Sequence, residues 1–229
     1  MAALKSGGKV IELTGADLGA ERLVGELRQR IVNHELPPGS RLREQDLANE
    51  FGVSRARIRE AFGILEERGL IERIPNRGAI VTRLEADKVK ELFEVREALE
   101  AQMVRLAVEK APPGTWDELI ELFGPSMDDM LACNDFDAYA QANYQFRRQC
   151  IAAADNEVLN SLLDSLYDRT QVLIRRLILV PGRMQEGMRQ HREILAAMGA
   201  GKAEEAERLK RANIRSARDW FNDYQKYLL

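Results

Sequence analysis

Apolar residues recur at helical spacing near the start of the chain, with charged residues between them. Leu23, Leu27 and Ile31 lie four positions apart, and this spacing predicts an amphipathic helix over residues 17–34. The paired prolines and the glycine of residues 37–39 cannot continue a helix. One face of this first helix is therefore expected to be buried.

Short elements separated by turn residues follow this helix. The pattern predicts two helices and two β-prone runs, over residues 44–51, 55–68, 70–74 and 79–82. Gly52 stops the first of these helices, Ser54 caps the second and Gly69 closes it. The segment Pro75-Asn76-Arg77-Gly78 has the chemistry of a hairpin turn. This order of elements is that of a winged helix-turn-helix.

The helix over residues 55–68 has an apolar and a cationic face. At about 100° per residue, four apolar side chains share one stripe that must pack inward: Ile58, Ala61, Phe62 and Leu65. Arg55, Arg57 and Arg59 lie near the N-terminus of the helix, where this motif approaches base edges. We therefore predict that the helix enters the major groove of DNA. The turn before it and the hairpin after it disfavour the alternative, a merely solvated arginine face.

Candidate DNA contacts also flank this helix. Arg77, at the predicted hairpin tip, can reach the minor groove or a phosphate, or it can be only an exposed turn residue. Arg43 and Gln45, near the start of the second helix, can contact the DNA backbone, and Gln45 can also contact a base.

Beyond residue 84 the apolar pattern is helical to the end of the sequence. Helices are predicted over residues 86–110, 115–133, 136–153, 156–180, 182–199 and 202–227. Gly124-Pro125 is expected to kink the second of them or to split it in two. An all-α region with short connections packs as an antiparallel bundle. The sequence thus predicts a mainly α protein with a poorly ordered N-terminal arm, a winged helix-turn-helix and an all-helical domain, over residues 1–17, 18–84 and 85–229.

Polar residues interrupt the apolar stripes of three predicted C-terminal helices. Asn143 and Arg147 lie one turn apart on the helix over 136–153. Two further stripes each contain one central polar residue: Met184, Met188, His191, Leu195 and Met198, and Ala206, Leu209, Asn213, Ala217, Trp220 and Tyr224. Because such stripes face the interior of a bundle, the four polar side chains can converge on one cavity.

Charge and composition add limits to this interpretation. The formal net charge is −3, but residues 1–84 hold 14 Lys and Arg against 12 Asp and Glu, whereas the remainder holds 20 against 25. Phosphate contacts come from local clusters rather than from net charge. No apolar run approaches the ~20 residues that span a bilayer and no secretory signal is visible, so we expect a cytoplasmic protein without a membrane partner. Cys133 and Cys150 form no CxxC pair and are expected to be reduced.

Catalytic chemistry is poorly provided for. His34 and His191 are the only two histidines, and the sequence lacks a glycine-rich phosphate loop and a Ser/His/Asp set. We therefore expect no catalytic residues and no enzymatic function.

A series of motifs runs through the N-terminal region: Glu35-Leu36-Pro37-Pro38-Gly39-Ser40-Arg41-Leu42, Gln45-Asp46-Leu47-Ala48, Phe51-Gly52-Val53-Ser54-Arg55, Ile58-Arg59-Glu60-Ala61 and Gly69-Leu70-Ile71. Over about residues 18–84 they closely resemble the DNA-binding domain of the GntR family. The resemblance implies a homodimer bound to a short inverted repeat of double-stranded DNA. It places the DNA contacts at Gln45, Ser54, Arg55, Arg57, Arg59, Asn76, Arg77 and Gly78.

Three segments of the C-terminal region carry a second resemblance: Leu92-Phe93-Glu94-Val95-Arg96-Glu97-Ala98-Leu99-Glu100, His191-Arg192-Glu193-Ile194-Leu195 and Gly201-Lys202-Ala203-Glu204-Glu205-Ala206. Over about residues 85–227 they resemble the FCD effector domain of FadR-type GntR regulators, which implies effector binding and dimerisation. The six predicted helices favour the smaller VanR-type subgroup.

Many members of that family hold a divalent metal with an aspartate, a histidine one turn later and two further histidines. The matching positions here are Asn143, Arg147, His191 and Asn213, so His191 is the one family-type ligand that remains. First-row metals prefer imidazole and carboxylate donors, and an arginine repels the cation. We therefore expect no metal and no other cofactor. A metal-dependent regulator of the same fold is the alternative.

Arg147 gives the predicted cavity a different chemistry. A part-buried guanidinium needs an anion, and its planar fork fits a carboxylate or a phosphate. We predict a small acidic effector bound by Arg147, whereas the alternative is an internal pair of Arg147 with Glu100 or Asp164. Arg96 is a further pocket candidate, or else part of an interdomain salt bridge. The neutral hydrogen-bond partners of the effector are Asn143, His191 and Asn213.

Both regions together predict a transcription regulator. Repression of a catabolic operon, relieved by the effector, is the logic that the family resemblance favours. Activation is the alternative.

Overall fold

The computed structural model describes residues 19–33, 35–74, 78–133 and 135–228. The chain divides into two compact units, Met1–Thr82 and Arg83–Leu229. The predicted arm over residues 1–17 lies outside the described residues. Within the ranges given above, no helix combines the length and the apolar character that crossing a membrane requires.

The first unit contains three helices and a small sheet in its described part. In chain order these are α1 (Ala20–Val32), β1 (Arg41–Leu42), α2 (Glu44–Phe51), α3 (Arg55–Glu67), β2 (Ile71–Ile74) and β3 (Gly78–Val81). The sheet is antiparallel with the order β1-β3-β2. The winged helix-turn-helix prediction is confirmed. The sequence did not indicate β1, because two residues are too short to show an alternating pattern.

The core of the first unit consists of the apolar faces that periodicity predicts. Leu23 and Leu27 of α1 have no exposed surface, and Ile31 is 2% exposed. The predicted stripe of α3 is buried completely, at Ile58, Ala61, Phe62 and Leu65. Each large apolar side chain buried in this way contributes roughly 1.5–3 kcal/mol. With one face of α3 fixed in the core, the opposite face is presented to solvent.

The second unit is entirely helical in its described part. Its helices are α4 (Ala86–Lys110), α5 (Asp117–Leu122), α6 (Pro125–Ala132), α7 (Phe136–Ala154), α8 (Glu157–Ile178), α9 (Arg183–Gly199) and α10 (Ala203–Leu228). The helix predicted over 115–133 is split, because Pro125 begins α6 and Gly124 approaches the Glu121 carbonyl too closely for a side chain. These residues therefore form seven helices. The count of six, on which the VanR-type assignment depended, is wrong.

Two clusters of buried side chains hold the seven helices together. The larger is centred on Met103, Phe123 and Phe146, and the smaller on Phe93 and Phe221. The stripe predicted for α9 is confirmed, since all of its members are buried: Met184, Met188, His191, Leu195 and Met198.

The stripe predicted for α10 is partly wrong. Leu209, Trp220 and Tyr224 are only half-buried. The neighbouring positions that α10 buries instead are Lys210, Ile214 and Phe221. Ala206, Asn213 and Ala217 are buried as predicted, so the buried stripe shifts by one residue only at Leu209 and Trp220, and the first of these shifts brings Lys210 into the interior.

Candidate functional site

Helix α3 presents three exposed arginines outside its buried stripe. Ser54 begins the helix, and its Oγ accepts a hydrogen bond from the backbone N–H of Arg57 at 3.3 Å. Gly52 ends α2 just before this point in the left-handed conformation, with a φ of 65°, which allows the tight turn. The side chains of Arg55, Arg57 and Arg59 are 54%, 43% and 52% exposed. All three guanidinium groups can therefore meet a ligand from solvent.

Two of these arginines share one carboxylate. The Oε2 atom of Glu44 accepts hydrogen bonds from Nη2 of Arg55 at 3.2 Å and from Nε of Arg59 at 2.8 Å. Partial burial raises the pKa of Glu44, but the hydrogen bonds from Arg59 and Arg55 outweigh it and hold the pKa below its ordinary value. Arg57 has a separate partner, because its Nη1 donates to Glu60 at 3.0 Å.

The remaining predicted DNA contacts are placed around α2 and the hairpin. Arg43 is exposed and lies 3.9 Å from the Asp46 carboxylate, and the exposed Gln45 donates to Asn49 at 2.9 Å. Gly78 has a φ of 87°, and a Cβ there would lie 2.3 Å from the Leu42 carbonyl oxygen. This close approach of two strands is a structural reason for the glycine. Asn76 and Arg77 lie outside the described residues.

Arg147 of the second unit lies over two aromatic rings. Its guanidinium carbon is 4.0 Å from the ring centroid of Tyr167 and 5.3 Å from that of Tyr144. Its Nε is buried and has no hydrogen-bond partner in the described part of the chain. The predicted alternative, an internal pair with Glu100 or Asp164, is wrong: within the same ranges, no carboxylate forms an ion pair with Arg147.

Glu100 instead pairs with two other cations. Its carboxylate oxygens lie 2.8 Å from Nε of Arg96 and 2.9 Å from Nζ of Lys210, and all three side chains are buried. Desolvation raises the pKa of Glu100, but the charges of Arg96 and Lys210 and their hydrogen bonds lower it to about 2. Arg96 therefore has an intrahelical partner, and Lys210 is a member of the site that sequence reasoning missed.

Asn213 is occupied by protein partners. Its Nδ2 donates to Oε1 of Gln190 at 2.8 Å, and its Oδ1 accepts from Nζ of Lys210 at 3.3 Å. Asn143 differs, because its Oδ1 is buried without a hydrogen-bond partner among the described residues. Of the two predicted amides, Asn143 is therefore the one with an acceptor left for a ligand.

His191 is a neutral residue of the aromatic core. Its ring lies 5.2 Å from the Phe123 ring and 5.1 Å from the Phe146 ring, measured between centroids. Nδ1 is 2.8 Å from the Gly187 carbonyl and must donate to it, which leaves Nε2 as an acceptor. Desolvation, followed by the charge of Lys210, lowers its pKa to about 3, although the hydrogen bond to Gly187 opposes this shift.

Arg183 is a second buried arginine that sequence reasoning missed. It is 7% exposed, and its Nη1 has no hydrogen-bond partner within the described ranges. A Cβ at Gly187 would lie 2.1 Å from the Tyr139 hydroxyl and 3.2 Å from this Nη1, so the glycine makes room for both groups. Burial lowers the pKa of Arg183, with Tyr139 and Glu186 opposing. The sequence contained a signal for this burial, because Arg183 lies one turn before Gly187 and two turns before His191, on the same face of the helix.

The donors at the four family positions do not fit a divalent metal. The described residues contain no group of three His, Cys, Asp or Glu side chains arranged to hold one. His191 has two cations among its charged neighbours, Lys210 and Arg183, against the single carboxylate of Glu100. Such surroundings favour an anion over a cation.

Family models match both units. The model described as "Bacterial regulatory proteins, gntR family" matches residues 19–81, and the model of the FCD domain matches residues 91–216. The two matches follow the division of the chain into its two units.

Individual relatives agree with these matches. An uncharacterized HTH-type transcriptional regulator of Agrobacterium vitis is 33% identical over 132 residues, 56% of this chain and 76% of that protein. The gluconate operon transcriptional repressor of Bacillus subtilis is 30% identical over 149 residues, 63% of this chain and 59% of the repressor. The solved structure of Escherichia coli McbR/YncC has a TM-score of 0.75 at 23% identity and covers 91% of this chain and 98% of its own, a likeness of fold.

Proposed function

We propose a repressor function for this chain, which belongs to the GntR family of bacterial regulatory proteins and carries an FCD domain. It is a DNA-binding transcriptional regulator and not an enzyme. In the proposal, a homodimer binds a short inverted repeat and represses a catabolic operon. A small acidic metabolite bound in the second unit releases it.

The exposed arginine face of α3 supports the DNA-binding part of the proposal. Three exposed arginines lie within the first turns of a helix whose apolar stripe is wholly buried. Recognition helices of this motif enter the major groove with their N-terminal residues towards the bases. Arg55, Arg57 and Arg59 are thus the proposed base and phosphate contacts, and Arg43, Gln45 and Ser54 border them.

A dimer is proposed because one recognition helix reads only one half-site. Two copies related by twofold symmetry read an inverted repeat, with a spacing fixed by the dimer. Sedimentation of the free protein and of its operator complex measures this stoichiometry, and a single chain per duplex would contradict it.

The imbalance of buried charge supports an anionic effector. In the described part of the second unit, the buried charged side chains are Arg96, Arg183, Lys210, Glu100 and Asp168, and the half-buried Arg147 adds a further cation. Glu100 already serves both Arg96 and Lys210, and Asp168 has an interaction of its own. A carboxylate or phosphate brought by a ligand compensates the remaining positive charge.

The observation that carries the effector proposal is the free Nε of Arg147. A buried donor without a partner costs roughly 1–3 kcal/mol, which a ligand oxygen recovers on binding. The unpartnered Oδ1 of Asn143, one turn before Arg147 on α7, and the unpartnered Nη1 of Arg183 are proposed as further contacts of the effector. Release from DNA then requires that the effector favours one domain arrangement by ~1–3 kcal/mol. Repression itself is supported by the similarity to the gluconate operon repressor.

The proposal is tested in two steps. Selection from a random DNA pool gives the operator, and anisotropy of the labelled operator then measures release by monocarboxylates, dicarboxylates and sugar phosphates. Arg147→Ala should raise the effector concentration for half-release by roughly 10–150-fold, as expected for a charge-assisted hydrogen bond of about 1.5–3 kcal/mol. Operator affinity should stay the same.

Arg148→Ala is the matched control. Arg148 follows Arg147 directly, is exposed, and carries the same charge. We expect a wild-type response from this variant. An Arg147→Ala protein that responds like the Arg148→Ala protein would contradict the effector assignment.

A further inference from the structure

Glu44 contacts two of the predicted DNA-binding arginines, although it is not itself among the predicted DNA contacts. It is the first residue of α2, and one of its oxygens, Oε2, joins Arg55 and Arg59 of α3. The Glu44 side chain is 18% exposed, whereas both arginines are more than half exposed. The carboxylate therefore lies behind the two arginines rather than beyond them.

The atoms used in these contacts decide which atoms stay free. Arg59 donates to Glu44 through Nε, and its Nη1 and Nη2 have no hydrogen-bond partner within the described residues. Two adjacent N–H donors of an arginine match the O6 and N7 acceptors of guanine. Arg59 is thus held by its inner nitrogen with its outer nitrogens available.

We propose that Glu44 is a positioning residue for operator recognition, which holds Arg59, and with it Arg55, so that the free nitrogens of Arg59 meet one guanine. The inference rests on the proposed role of α3 as the recognition helix. An arginine ordered before binding loses less side-chain freedom when it contacts the base.

The charge of Glu44 adds a second contribution to specificity. A carboxylate among the arginines repels phosphates, so it weakens binding to any duplex. At the operator, the ordered guanine contact more than compensates for this repulsion. A random sequence offers no such contact, so the repulsion remains uncompensated. Glu44 should therefore lower non-specific affinity and raise the ratio of operator to non-specific affinity.

The test compares dissociation constants for the selected operator and for a random duplex of equal length, at one salt concentration, with the full chain. Glu44→Gln should bind the random duplex several-fold more tightly and lower the specificity ratio by about ten-fold or more. Glu60→Gln is the matched control, because it removes the same charge from the other carboxylate paired to an α3 arginine. Its ratio should stay within about two-fold of wild type.

Glu44→Asp separates position from charge and serves if Glu44→Gln does not fold. The shorter side chain keeps the charge but withdraws it from Arg59, so the ratio should fall with unchanged non-specific affinity. Folding of each variant is checked by helical circular dichroism and the melting temperature.

Base preferences identify the residue through which Glu44 acts. Selection with Glu44→Gln and with Arg59→Ala should relax the same guanine, and the double variant should be no less selective than Arg59→Ala alone. An equal ratio of operator to non-specific affinity in Glu44→Gln and Glu60→Gln would overturn the inference. It would also be overturned if Glu44→Gln relaxed the preference for a cytosine at a position where Arg59→Ala still requires that base. An Arg59→Ala protein with full selectivity would overturn it together with the assignment of α3.

Discussion

The exposed arginines of α3 and the buried arginines of the second unit differ in what their partners do. On α3, Arg55 and Arg59 share Glu44 close to the surface, where an ion pair contributes about 0–1 kcal/mol to stability and leaves both arginine side chains more than half exposed. In the interior, Arg96 shares Glu100 with Lys210. Breaking such a buried pair costs several kcal/mol. The same chemical pair thus contributes little to stability in one unit and is structural in the other.

The different burial of the arginines determines how each unit can bind its ligand. A guanidinium that is paired through one nitrogen and is exposed elsewhere can meet a phosphate or a base without giving up its carboxylate. A buried one needs a fixed counter-charge, and Arg147 has none among the described carboxylates. The α3 arginines therefore keep donors open for a ligand, whereas the proposed effector site awaits an anion.

Removing Glu100 gives the largest effect that this comparison predicts. Glu100→Ala leaves Arg96 and Lys210 buried without their carboxylate, so the free energy of unfolding should fall by ~3–5 kcal/mol in urea titrations. Glu109→Ala is the control, because Glu109 lies on the same helix and pairs with Arg105 at the surface. It should cost about 0.3–0.5 kcal/mol. Similar losses in both variants would refute the distinction between the two environments.

Removing an α3 arginine should change DNA affinity and not stability. Arg55→Ala or Arg59→Ala should weaken operator binding by about 1–3 kcal/mol if either reads a base, as measured by anisotropy. Arg22→Ala removes an equal charge from the exposed face of α1 and serves as the control. Losses no larger than that of Arg22→Ala would remove the base-reading assignment.

Acid should destabilise the second unit through His191. Its pKa is about 3 in the folded protein against an ordinary value of 6.5, so between these values the unfolded chain binds the proton. Stability must therefore fall as the pH drops below about 6.5, with a slope of up to about 1.4 kcal/mol per pH unit.

Urea titrations between pH 6.5 and pH 5 isolate this slope, since the pKa of Glu100 lies lower, at 4.5 in the unfolded chain and about 2 in the folded one. His191→Gln should flatten the dependence. An unchanged slope would show that another group binds the proton.

The smallest predicted effect concerns two glycines of the first unit, whose replacement by alanine should change stability alike but operator affinity differently. A Cβ added at Gly25 or at Gly63 would meet no heavy atom within 4 Å, and both glycines lie inside helices. Replacement by alanine should raise the free energy of unfolding by about 0.5–1 kcal/mol at each. Gly63→Ala should in addition weaken operator binding a few-fold if α3 approaches DNA closely at this position. Equal operator affinities would exclude that close approach.

Periodicity was sufficient wherever burial follows from one helix alone. The stripes of α1, α3 and α9 were predicted because apolar residues at a spacing of about 3.6 must face the core. Turn residues such as Gly52 and Ser54 gave the helix boundaries through local backbone chemistry.

The same reasoning failed to predict which charged residues are buried. Lys210 and Arg183 are of types that are mostly exposed, so the sequence favoured Leu209 over Lys210 on the α10 stripe. Lys210 is buried because Glu100, on a helix far away in the sequence, supplies its counter-charge. The alternative of an internal pair between Arg147 and Glu100 failed because Glu100 pairs with Arg96 and Lys210 instead.

The sequence by itself determined the winged helix-turn-helix, the all-helical character of the C-terminal region and the arginine-bearing helix, because these depend on interactions between residues close in the chain. Only the tertiary structure decided which charges share a carboxylate: Glu44 with Arg55 and Arg59, and Glu100 with Arg96 and Lys210. Electrostatic energy depends on distance and desolvation in three dimensions, and neither quantity is encoded in a local pattern.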